Sequence, residues 1–177
     1  MSNERINFYY DPTRQGYDTQ LWKTVTGTPT VVSDVIRFNQ AESVGYGDIF
    51  KGNIKMSVIV PVEPTTADVR SFGFKQIANN SYALFKIVDD VFSCECSFGG
   101  NTTNIVLTWN SDWTNTATDF EIVWTGFSAQ FLINGVQVAF ISDESIPHEA
   151  MSLSISNSND DSMDLAYIEV TNVQNYI

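Results

Sequence analysis

Cations run out halfway along this chain. All nine Lys and Arg residues lie between Arg5 and Lys86, so residues 87–177 carry none, whereas thirteen of the 21 acids (21 less the eight up to Asp68) fall there. A net charge of -12 and a pI near 4.2 leave no basic patch to hold a phosphate backbone, which excludes nucleic acid as a partner. The same acidity turns the second half of the chain away from anionic lipid. No stretch approaches the roughly 18–20 continuous apolar residues of a membrane span. The opening residues Ser2, Asn3, Glu4 and Arg5 do not build the apolar core of a secretory leader. The expectation is synthesis in the cytoplasm without membrane insertion.

Nucleophiles and metal ligands are also scarce. The only two cysteines, Cys94 and Cys96, stand one residue apart. On a strand that spacing sends both side chains to one face and disfavours a disulfide between them. A lone C-x-C is too small for a zinc site, so both are read as small buried apolar residues. The sole imidazole, His148, lies in the loop SIPHEAM with no G-x-S-x-G elbow to serve. Phosphate-binding glycine loops and the H-E-x-x-H zinc motif are absent as well.

What the chain has in quantity is alternation. Apolar residues at 43% supply one core for 177 residues, and no window of a dozen residues sustains helical spacing. Fourteen alternating runs separated by Gly, Pro, Asn and Asp predict an all-β, two-sheet antiparallel jelly-roll sandwich in one domain: Ile6–Tyr10, Val31–Ser33, Val35–Asn39, Val44–Phe50, Asn53–Val60, Val69–Lys75, Tyr82–Val88, Val91–Ser97, Asn104–Trp109, Asp119–Thr125, Ala129–Ile133, Val136–Ile141, Met151–Ser156 and Leu165–Val173. The strongest local signal is QFLINGVQVAF, in which Asn134-Gly135 accepts the positive φ values of a two-residue type I′ hairpin. In Asn53–Val60 alternation puts Ile54, Met56, Val58 and Val60 on the core side.

The run FEIVW, FLINGVQVAF, a loop with Pro147, MSLSISN, an acidic loop and LAYIEV resembles the C-terminal half of concanavalin A-like lectin/glucanase (LamG-like) jelly rolls. Upstream, LWKTVTGTPTVVSDVIRFN and GDIFKGNIKMSVIVP resemble the N-terminal half, so the resemblance extends from Leu21 to Val173. It implies two curved sheets packed face to face, with a groove on the concave one. Glucanases of this kind carry an E-x-D-x-E triplet on one concave strand, and strand counting places that triplet in Tyr82–Val88. That strand reads YALFKIV and holds no acid. A retaining glycosidase needs two carboxyl groups about 5–5.5 Å apart, so no enzyme is expected. Asp89 and Asp90 read as a turn; Asp119 and Glu121 share a face but fall on a strand to which the resemblance assigns no catalysis.

The expected function is a noncatalytic binding or structural module, displayed on a virion or other particle for attachment or decoration, with assembly neighbours there. One alternative is a glycan-binding module of a larger surface protein; another is a glycoside hydrolase with displaced carboxylates. The partner is then a glycan or a protein surface. Candidate ligand-binding residues are Trp113, because an indole in a polar loop either folds back or stays available for contact, with Trp109, and Tyr82, Phe72 and Phe74 on the concave strands. Leu84 and Lys86 are further groove candidates. The loop NSNDDSMD offers Asn157, Asn159, Asp160, Asp161 and Asp164, an oxygen set of the kind calcium accepts.

Overall fold

The computed structural model describes residues 7–12, 22, 24–40, 42–50, 52–76, 78–158 and 161–172. Numbered along the chain, the strands are β1 (Asn7–Tyr10), β2 (Thr24–Thr26), β3 (Thr30–Val32), β4 (Val35–Phe38), β5 (Glu42–Phe50), β6 (Gly52–Ile59), β7 (Val69–Gln76), β8 (Ser81–Val88), β9 (Val91–Phe98), β10 (Asn101–Leu107), β11 (Thr118–Trp124), β12 (Ala129–Ile133), β13 (Val136–Ile141), β14 (Met151–Asn157) and β15 (Met163–Asn172). All fourteen expected runs form strands; only β2 was not anticipated, and the ends at Ile6 and Val173 lie outside the described residues. Among the described residues no helix is long and apolar enough to cross a membrane.

Two antiparallel sheets result. The eight-stranded sheet runs β13-β12-β11-β6-β15-β4-β3, with β1 also paired to β15; the seven-stranded sheet runs β10-β9-β8-β7-β14-β5-β2. Alternation explains how they adhere. Ile54, Met56 and Val58 of β6 with Phe120, Ile122 and Trp124 of β11 meet Phe72, Phe74, Phe85, Leu153 and Ile155 from the other sheet, and all are buried. Rings interlock edge to face, Phe72 on Phe120 at 4.9 Å and Phe85 on Phe131 at 5.2 Å between centroids, the arrangement aromatic quadrupoles favour. The indole N–H of Trp124 donates to the Pro147 carbonyl at 2.8 Å, so the largest core side chain leaves no donor unpaired.

Turn chemistry closes the strands as the sequence predicts. Asn134 and Gly135 have φ of 49° and 77°, joining β12 to β13 with Ile133 opposite Val136. Asp89 and Asp90, at 49° and 63°, form the tight turn between β8 and β9. Cys94 and Cys96 are free thiols inside the sandwich, and burial raises both well above the ordinary thiol range, which favours the protonated thiol.

Candidate functional site

In a two-sheet sandwich every strand has a core side and an outer side, and the outer side of the seven-stranded sheet carries the chemistry. On β8 Ala83, Phe85 and Ile87 enter the core, which turns Tyr82, Leu84 and Lys86 outward. On β9 Phe92, Cys94 and Cys96 enter the core, which turns out Ser93, Glu95 and Ser97. The β8–β9 register sets Leu84 opposite Glu95, Tyr82 opposite Ser97 and Lys86 opposite Ser93. On β9 and β10 Glu95 faces Asn104 and Ser97 faces Thr102. Across β7, the next strand β14 adds an outward row of Ser152, Ser154 and Ser156.

The centre of this face is Glu95, only 8% exposed although it points away from the core. Three donors converge on its carboxylate. The Tyr82 hydroxyl and Lys86 Nζ, the latter at 2.7 Å, donate to Oε1, and Asn104 Nδ2 donates to Oε2 at 2.7 Å. Asn104 also donates to Ser93 Oγ at 3.1 Å, and Thr102 Oγ1 to Ser97 Oγ at 3.1 Å. Lys86 Nζ lies 5.3 Å from the Tyr82 ring centroid, within cation–π reach. The result is a recessed polar floor with Lys86, Asn104, Thr102 and the serine row at more accessible positions.

Electrostatics follow from that geometry. Burial alone would raise the Glu95 carboxyl, but the hydrogen bonds from Lys86, Tyr82 and Asn104 outweigh it and hold the group below the ordinary carboxylate range. Burial, reinforced by the bond to Glu95, pushes the Tyr82 phenol up to about 12. A raised phenol favours the fold while it is protonated. Its contribution is complete below the ordinary value of 10.0 and is lost as pH rises through about 12. The melting temperature of the wild type is therefore expected to fall over that window, and Tyr82→Phe to flatten the fall, in a pH series of thermal melts. Glu95 has the opposite sign: its contribution is present above the ordinary carboxylate value and is lost as pH drops through the lowered one.

Of the residues expected to touch a ligand, Tyr82, Leu84 and Lys86 lie on this face. Phe72 and Phe74 do not, because β7 turns its even-numbered side chains inward; both are fully buried, Phe74 packing on Trp124 at 5.6 Å. Trp113 folds back from a short 3-10 turn, Ser111–Trp113, and joins Trp109 over the end of the core. The two indoles are 5.3 Å apart, and Phe92 lies 5.4 Å from Trp109 and 5.9 Å from Trp113. Trp109 Nε1 donates to Thr114 Oγ1 at 3.3 Å. Glu95 itself was missed. The signal for it was S-x-E-x-S next to the C-x-C, once the cysteines are assigned to the core.

The described members of the calcium donor set are engaged with other partners. Asp164 is gripped by Arg37 in a bidentate pair, Nε to Oδ1 at 2.9 Å and Nη2 to Oδ2 at 2.7 Å. Asn157 is buried, its Nδ2 donating to the Phe38 and Asp161 carbonyls, both at 2.9 Å. Asp161 acts on the cation of Arg70, and Asn159 and Asp160 lie outside the described residues. Among the described residues no group of three His, Cys, Asp or Glu side chains is placed to hold a metal. Asp119 and Glu121 sit on the outer face of the eight-stranded sheet, across the sandwich from Glu95. There Asp119 pairs with Lys55 at 2.9 Å and accepts from Tyr167 at 3.0 Å, while Glu121 accepts from Asn53 at 2.5 Å.

No family model matches the chain, and no curated protein matches it. Solved structures do. A prokaryotic β-1,3-1,4-glucanase (lichenase) from a mouse hindgut metagenome is similar with a TM-score of 0.76 at 10% identity, over 94% of this chain and 99% of that one. The Crh5 transglycosylase in complex with NAG gives 0.73 at 14% identity, over 95% and 84%. The botulinum neurotoxin serotype D binding domain gives 0.69 at 8% identity, over 96% of this chain and 48% of the other. At these identities the likeness is one of fold.

Proposed function

We propose, from the premise of a concanavalin A-like jelly roll, that this chain is a noncatalytic module that binds carbohydrate on the outer face of its seven-stranded sheet. The observation that carries the reading is the composition of that face. Where glucanases similar to this fold place three acids on one strand, β8 turns out Tyr82, Leu84 and Lys86, and Glu95 on β9 is the one acid among the described side chains of the face. A single carboxylate, already bonded to three donors, has no second carboxyl among the described side chains of the face with which to divide the roles of nucleophile and acid. The same groups suit hydroxyl recognition. Lys86 and Asn104 present donors, and Ser152, Ser154 and Ser156 both donate and accept. The glucanase and the transglycosylase among the similar structures act on carbohydrate, and the NAG complex holds one.

The test is a glycan array probed with the purified chain, with and without chelator, followed by affinities for the best ligand. Saccharide binding is expected, unaffected by chelator, and weakened about tenfold or more by Asn104→Ala, the loss of a hydrogen bond to a charged network. A blank array from folded protein overturns the reading. Reducing ends released from β-glucan by the wild type and lost in Glu95→Gln would instead establish a hydrolase. A second reading, a structural unit decorating a virion or other particle, is favoured by the exposed Val136 and Phe140 on edge strand β13. It predicts a particle-bound state and no affinity for sugar.

A further inference from the structure

Thirty charged residues, 9 basic and 21 acidic, are spread along this chain, yet none falls between positions 96 and 111 or between 122 and 142. The fold brings these two runs to one side. The first contains β10, the last strand of the seven-stranded sheet; the second contains β12 and β13, the last two of the eight-stranded sheet. The two edges lie against each other, and Thr103 Oγ1 of β10 donates to Asp143, just beyond β13, at 2.7 Å. The strands of this flank are thus uncharged in a molecule of net charge -12, with Asp143 at their margin.

That flank is also where apolar side chains are left in solvent. The four most exposed large hydrophobic residues described are Phe127 at 77%, Val106 and Val136 at 66%, and Phe140 at 51%, and all four belong to the two uncharged runs. Edge strands are usually guarded by charge, by proline, by a bulge or by brevity. The opposite edges, β2 and β3, have three residues each. β13 has a register shift against β12. β10 has none of these guards: seven residues, no charge, no proline and an unbroken register with β9.

We propose that this flank is a self-association surface, on which β10 pairs antiparallel with β10 of a second copy of the chain, with Val106 beside the new strand pair and Val136 and Phe140 of the neighbouring edge strand β13 brought close to the partner. The choice of occupant follows from charge. Two acidic molecules repel wherever their charged faces meet, and the flank is the side on which they approach with the fewest like charges opposed. A cationic partner finds only Asp143 at the margin of the flank, already accepting from Thr103. An uncharged, apolar surface with a free antiparallel edge is matched by another of the same kind, and a twofold axis supplies it without a second protein. Pairing β10 with itself continues the seven-stranded sheet across the axis and puts both Glu95 floors on one continuous face, an arrangement that multiplies weak single-site affinity by effective concentration.

Sedimentation equilibrium without any sugar tests the proposal. The wild type is expected at twice 19.8 kDa, falling to one copy on dilution. Raising the salt concentration strengthens the association, because it screens the repulsion between the acidic bodies and leaves apolar contact intact. The double variant Val106→Lys, Phe140→Lys changes only exposed positions and should sediment as one copy with an unchanged circular dichroism spectrum. Amide exchange adds a readout that does not depend on the variant: the amides of Asn101–Leu107 become protected as concentration rises. A wild type that stays monomeric throughout, a dimer undiminished in the double variant, or a dimer that protects a different strand each overturns the proposal. None of these outcomes bears on whether a single copy binds carbohydrate.

Discussion

Asp68→Asn is expected to lower the unfolding free energy by roughly 3–5 kcal/mol, the cost of leaving one member of a buried ion pair without its counter-charge. Asp68 and Arg70 have no solvent-exposed side-chain surface, and Arg70 Nη2 donates to Asp68 Oδ1 at 3.2 Å. Arg70 is the only cation inside the sandwich among the described residues, on the inward side of β7 in line with Phe72 and Phe74. Its Nε and Nη1 find no protein acceptor, so Asp68 is its one hydrogen-bonded anion. Burial lowers the guanidinium below its ordinary value, while Asp68 and Asp161 act against the shift. Asp68 has a second duty. Its Oδ2 accepts from the Thr65 amide at 2.7 Å and its carbonyl accepts from the Asp89 amide at 2.8 Å, which ties the approach to β7 to the turn between β8 and β9. Asparagine keeps the shape and removes the charge, so the loss measures electrostatics. Arg70→Met should cost less than Asp68→Asn, because it removes a buried charge that is only partly bonded and leaves Asp68 with its amide donor. Urea midpoints for the two variants decide it; equal midpoints for Asp68→Asn and wild type would show that the pair contributes no net stabilisation.

Gly73→Ala is expected to cost about 3 kcal/mol or more, the sum of backbone strain and overpacking. Gly73 sits in the middle of β7 with φ of +144°, a conformation that L side chains rarely adopt. A Cβ there would stand 2.5 Å from the Ala83 carbonyl oxygen and 2.6 Å from Ile122 Cδ1, so neither the neighbouring strand nor the facing sheet leaves room. Gly99→Ala is the control. Its φ is +59° but nothing lies within 4 Å of the added atom, so it carries the conformational term of about 1 kcal/mol without the clash. The consequence for the site is direct, since Gly73 pairs with Leu84, between Tyr82 and Lys86 on β8. Relief of the clash by displacing β8 would move both donors away from Glu95. Equal thermal melts for the two alanine variants would show that β7 yields at Gly73 without strain.

The strands were legible because alternation is a local property. A two-residue period sets which side chains share a face whatever the rest of the chain does. Asn134-Gly135 fixed its hairpin for a similar reason, since positive φ at two successive positions is a local demand that Asn followed by Gly meets at little cost. The want of acids on β8 was equally plain from YALFKIV. What alternation leaves open is which face becomes the inside, and the tertiary structure decided that for β7 and β9. Phe72 and Phe74 share a face with Arg70, and only packing against Phe120 and Trp124 of the opposite sheet made it the buried one. Glu95 alternates with two cysteines that are small enough to suit either side, so its outward direction was settled by the Phe92 ring entering the core. Convergence of Tyr82, Lys86 and Asn104 on one carboxylate depends on the register of three strands, β8, β9 and β10, which long-range pairing sets. The uncharged flank has the same origin. Two runs without charge stand in the sequence separated by Asp112, Asp119 and Glu121, and it took the stacking of two sheets to lay their edge strands side by side.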